Sequence, residues 1–165
     1  MFNADFHRIY VLMIMIIFPI AFALIEFSRR KNGFYKLILK WVTFWTIGVR
    51  ALTSGFMQFA NPQYTMKLLN LGTESAIIIR ELGFLQFAIG LIAILSIRKK
   101  AYIEPIFICY GIFMLGASYL HISRISYIDF GELVSLIGDL LVVAIIMIYF
   151  IKMLLNNEDK AKNES

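Results

Sequence analysis

Long apolar runs alternate with short polar stretches along the whole chain. The runs are Ile9–Phe27, Leu37–Phe59, Ser75–Ile97, Glu104-Pro105 to Ile122, and Leu133–Leu155. Crossing a hydrocarbon core of about 30 Å takes roughly 20 helical residues, and each run is that long or nearly so. Pro19 falls mid-run in the first. It predicts a kink whose freed carbonyl is satisfied by a neighbouring helix or side chain. Pro105 suits the first turn of the fourth helix. The pattern predicts an all-α, five-transmembrane-helix bundle forming a single domain over residues 1–155, followed by a polar tail over 156–165.

Composition supports this reading. The chain is 60% hydrophobic and 16% charged, more apolar surface than a soluble domain of this length can bury. The formal charge of +5 sits in blocks between the runs, and no continuous basic face is present for nucleic acid. Arg29, Arg30, Lys31, Lys36, Lys40, Arg98, Lys99, Lys100, Lys152, Lys160 and Lys162 fall on one side of the membrane. The other side holds only Arg8, Lys67, Arg80 and Arg124. The positive-inside rule then puts the N-terminus outside and the C-terminus in the cytoplasm, as five spans require. A multi-pass protein of a cell membrane follows. The first run has no small-residue cleavage site after it, so it reads as a retained helix. Cys109 is the single cysteine, which excludes an intrachain disulfide and reads as a packed thiol.

Topology then sets depth. At about 1.5 Å per residue, Glu81 and Asp139 fall roughly 10 Å below the outer boundary, with Gln58 and His121 slightly above them. His7 heads the first helix on the same side. Thr43, Thr46, Arg50, Ser54 and Gln58 make one polar stripe on the second helix, which should face the bundle interior with Arg50 near mid-membrane and Glu81 or Asp139 as its carboxylate partner. Ser118 and His121 share a face with Tyr110 and Met114, and Glu132 and Ser135 share one with Asp139. Gly83, Gly90, Gly111, Gly116 and Gly138 permit close helix approach. Glu81, His121 and Asp139, bordered by Arg50, Ser54 and Gln58, are expected to face inward around one cavity, because lipid offers them no partner. An outward helix ending in Gln58 or His121, then an inward helix bearing Glu81 or Asp139, hints at internal symmetry.

At Arg80-Glu81-Leu82-Gly83-Phe84, followed by Ala88-Ile89-Gly90-Leu91, the chain resembles a family of small uncharacterised prokaryotic integral membrane proteins. That family is distantly similar to DoxX-like four-helix membrane proteins. Its pattern is an acid-Leu/Val-Gly-Phe-Ala-Asn segment, a later Gly-His, and an Asp in the last helix. Glu81, His121 and Asp139 match, over a resemblance running from about Lys36 to Tyr149. Gln58 stands before Pro62 where the family often has histidine, and Leu120 precedes His121 where it usually has glycine. The resemblance implies a helical membrane bundle without an established activity, and the DoxX-like relatives imply quinone-linked redox chemistry.

Four readings of the polar cluster follow. It could fix helix register as an ion-pair network, hold a hydrophobic or lipid-like ligand, relay protons, or bind a metal through His7 or His121 with Glu81 and Asp139. No polar path continues inward past Thr43, and no short ligand spacing supports a metal. Trp41 and Trp45 read as anchors at the cytoplasmic interface. No Walker loop, nucleophile elbow or dinucleotide turn occurs. The expected function is a small membrane protein that holds a hydrophobic or lipid-like ligand in the outer half of the bilayer. A quinone-linked oxidoreductase subunit is the alternative, and a structural partner protein comes third. Membrane lipids, a hydrophobic small molecule or quinone, a second copy and a membrane partner protein are the partners compatible with this reading; the sequence names no cofactor.

Overall fold

The computed structural model describes residues 9–10, 12–30, 33–68, 71–123, 125–127 and 130–164, and every element among them is helical. His7, Arg8 and Arg124 lie outside the described residues, as does the side chain of Glu132. The chain divides into two packed units, residues 1–106 and 107–165.

In the first unit, α1 covers residues 12–30 and joins a π-helical turn, Met13–Ile17, to the α-helix Phe18–Arg30. Pro19 accounts for the wide turn. It has no N–H to donate, and the helix ahead of it loosens so that Phe18 N–H bonds Met13 O. The carbonyls of Ile14 and Met15 are the ones Pro19 would have served. Thr46 Oγ1, fully buried on the next helix, donates a long bond shared between them at 3.5 and 3.3 Å. A neighbouring side chain therefore satisfies the freed carbonyls, as Pro19 led us to expect.

The second helix, α2, covers residues 34–60. It runs without a break through Phe34–Val42, a π-helical stretch Thr43–Val49, and Arg50–Ala60. Thr43 Oγ1 bonds back to Leu39 O at 2.7 Å, a side-chain bond that competes with the helical ladder where the π stretch begins. The π-helical stretches of α1 and α2 pack against each other. Asn61 leaves the helical region at φ −139°, ψ 69°, as the residue before a proline tends to do, and a short helix α3, Pro62–Leu68, follows. After a 3-10 turn, α4 spans Ala76–Leu95. Its buried positions are Ile79, Gly83, Gln86, Ile89, Gly90 and Ala93, and its glycines lie against Gly48 and Gly55 of α2.

The second unit is built on α5, Ile103–Ser123, and α6, Phe130–Glu164. Phe107 meets the Tyr149 ring edge-on with centroids 4.9 Å apart, and a Cβ on Gly111 would touch Ile146 at 3.5 Å. The partner number falls as the α5 number rises, so the two helices are antiparallel. Carried one step further, that register sets Ser118 at the level of Asp139. Cys109, expected as a packed thiol, is exposed, because the buried face of α5 runs through Phe107, Tyr110, Met114 and Ser118.

Thr73–Leu95, Ile103–Ser123 and Leu133–Leu155, of 23, 21 and 23 residues, are long and apolar enough to cross a membrane, and a third or less of each is buried within the protein. The remainder, including Ile77, Ile78, Phe84, Ile112 and Leu154, exposes large apolar side chains that are stable only in lipid or against another apolar surface.

Candidate functional site

The six residues singled out in the sequence divide between the two units. Arg50, Ser54 and Gln58 lie half-buried along one side of α2 in the first unit. Gln58 is drawn against α4, with its Cβ next to Gly83, and its Oε1 is buried with no hydrogen-bond partner among the described residues. Just ahead of α1, the Tyr10 hydroxyl pairs with Thr53 Oγ1. Thr53 also donates to the Val49 and Arg50 carbonyls, at 2.9 and 3.0 Å.

Glu81 is also in the first unit, and it departs from expectation: it is exposed rather than turned inward. The seam on α4 passes through positions 79, 83, 86, 90 and 93, steps of four and three. At about 100° per residue, Glu81 stands roughly 200° around the helix from either Ile79 or Gly83. Depth along the membrane normal leaves the azimuth of Glu81 open, and the glycine seam decides it. Arg80 is exposed as well.

In the second unit His121 is half-buried, whereas Asp139 retains 2% of its surface and Ser118 3%. Ser118 Oγ has no hydrogen-bond partner among the described residues. That distinguishes it from other helical hydroxyls in this protein. Thr43, Thr53, Ser96 and Ser123 each close onto a carbonyl of their own helix, the ordinary resort of a hydroxyl in an apolar setting. Among the described residues, no three His, Cys, Asp or Glu side chains come together as a metal site.

A second polar group was not anticipated from the sequence. Glu26 of α1 takes Lys40 Nζ at 2.6 Å and Trp41 Nε1 at 3.0 Å on the same oxygen, and Lys40 Nζ stands 4.7 Å from the Trp41 ring centroid. With Phe22, Ile25 and Arg29 these side chains line a recess of about 360 Å³. Phe22 stacks obliquely on Trp41 and Trp45 at 4.9 and 5.3 Å, and Phe18 on Trp45 at 4.8 Å. The signal available was Glu26 itself, the one acid in an otherwise apolar first run.

The fold and these sites define an all-helical membrane protein with polar groups held at its helix contacts. The chain belongs to the family of unknown function DUF6790, whose match covers residues 9–164. No curated protein and no solved structure matches it.

Proposed function

We propose that this protein crosses a cell membrane five times, with its N-terminus outside, and holds a hydrophobic or lipid-like molecule by its polar end in the outer half of the bilayer. The crossing number is supported by α1 and α2, which continue through their π-helical turns and, at about 1.5 Å per residue, have the length to span. The charge blocks described above supply the orientation.

The observation that carries the ligand reading is Ser118. Its hydroxyl is buried without a partner at the level of a buried carboxylate, Asp139. An unsatisfied buried hydroxyl costs about 1–3 kcal/mol, and the polar end of a bound molecule recovers that cost. His121, one turn further along α5, would border the same end.

The experiment is native mass spectrometry of the protein purified in mild detergent, followed by solvent extraction of what it retains. The wild type is expected to carry a stoichiometric apolar species, reduced roughly tenfold in Ser118→Ala, given the worth of one such bond, and in Asp139→Asn. An extract with the absorbance change of a quinone on borohydride reduction would favour a quinone-linked redox subunit. Equal retention by wild type and both variants, or none by either, would leave the polar groups as a register-fixing network.

A further inference from the structure

The recess between α1 and α2 combines charged and apolar side chains in one lining. From its geometry we infer that it binds the phosphodiester of a monoanionic glycerophospholipid, through Arg29 and Lys40. Three features of the lining point to this class.

The first is charge. Arg29 and Lys40 against Glu26 leave one positive charge in the lining, which one phosphodiester neutralises. That net positive charge favours an anionic head over a zwitterionic one.

The second is preorganisation. Glu26 and the Trp41 ring fix the Lys40 ammonium from two sides, so little side-chain freedom remains to be lost on binding. Arg29 is exposed, and its planar guanidinium suits two phosphate oxygens at once.

The third is the wall. Phe22 and Ile25, 37% and 51% exposed, continue the polar lining into an apolar face one turn along α1. A free phosphate has no use for such a face, whereas the glycerol and acyl chains of a lipid lie along it.

Both tryptophans of the chain, Trp41 and Trp45, belong to this aromatic cluster, so their fluorescence reports on the recess. The test reconstitutes the full chain in phosphatidylcholine vesicles and adds phosphatidylglycerol or phosphatidylcholine brominated high on the acyl chain. Brominated phosphatidylglycerol is expected to quench at roughly tenfold lower mole fraction than brominated phosphatidylcholine, the scale of a charge-assisted bond. Arg29→Gln should abolish that preference. Lys36→Gln, which removes a neighbouring exposed charge outside the recess, should leave it intact. Equal quenching by the two lipids would overturn the inference. So would an equal loss of preference in both variants, which would mean attraction to the basic block alone. Displacement of the bound lipid by excess inorganic phosphate would overturn it in favour of a simple anion site.

Discussion

Gly55 and Gly83 stand backbone to backbone where α2 crosses α4. A Cβ on Gly55 would lie 2.6 Å from Gly83 O, and one on Gly83 would lie 2.8 Å from Gly55 O. Two turns along, Gly90 repeats the contact, with a Cβ there 2.7 Å from Gly48 O. The two helices approach through paired glycines because lipid gives no hydrophobic drive to associate. Close backbone packing has to supply the attraction.

The first prediction follows from those distances. In Gly83→Ala and Gly55→Ala the new methyl meets backbone, which cannot swing away, so the helices must separate. Each should lower stability by about 1–3 kcal/mol, read as a lower melting temperature in detergent. Gly116, on α5, has nothing within 4 Å of its Cβ position. Gly116→Ala should be neutral or stabilising by up to about 1 kcal/mol. Similar losses in all three variants would mean that the glycines of α2 and α4 are not a seam.

A second prediction concerns Thr46 and Pro19. Thr46→Val removes the donor for the Ile14 and Met15 carbonyls and should cost about 1 kcal/mol. In a Pro19→Ala background the backbone N–H returns and those carbonyls regain a partner within α1. The same Thr46→Val change should then cost markedly less. A double-mutant cycle by thermal unfolding reads the coupling directly. Additive effects would show that Thr46 serves some other purpose.

How much of this could be read from the sequence differs from residue to residue. The helices and their approximate limits were legible, because runs of about 20 apolar residues admit few other conformations. The role of Pro19 was legible too, since a missing N–H has a fixed consequence. The azimuth of Glu81 was not. Burial cost says that a carboxylate avoids lipid, yet it does not say which helix face forms the seam, and Gly48 and Gly55 had not been recognised as partners for Gly83 and Gly90. Glu26 is hard to read for a related reason. In the sequence Lys40 reads as a topology signal and Trp41 as an interfacial anchor, and only their shared contact with one carboxylate oxygen reveals a site.

That shared oxygen gives the third prediction. Lys40→Met removes the ammonium from the Glu26 carboxylate and leaves the Trp41 Nε1 donor in place. The side chains are 33% and 13% exposed, so the loss should be moderate, about 1–2 kcal/mol, between the values for surface and buried pairs. Adding Glu26→Gln should recover much of it, because the amide needs no cation. Thermal unfolding of the two single variants and the double variant checks this; a double variant no better than Lys40→Met would break the pairing.

The last prediction decides whether α2 crosses the membrane. α4 is long and apolar enough to span, so Leu71, ahead of it, and Lys99, beyond it, should lie on opposite faces. If α2 spans as well, Gly33 must share a face with Lys99 and oppose Leu71. If α2 lies within one leaflet, Gly33 and Leu71 share a face instead. Single cysteines distinguish these cases in a Cys109→Ala background, needed because Cys109 is exposed and would itself react. A side chain at Gly33 meets nothing within 4 Å, so Gly33→Cys should leave the fold intact. In intact cells a membrane-impermeant maleimide is expected to label Leu71→Cys but not Gly33→Cys or Lys99→Cys. After permeabilisation it should label all three. Labelling of Gly33→Cys and Leu71→Cys from the same face would remove α2 from the spans, and the outer-half depth assigned to Gln58 would go with it.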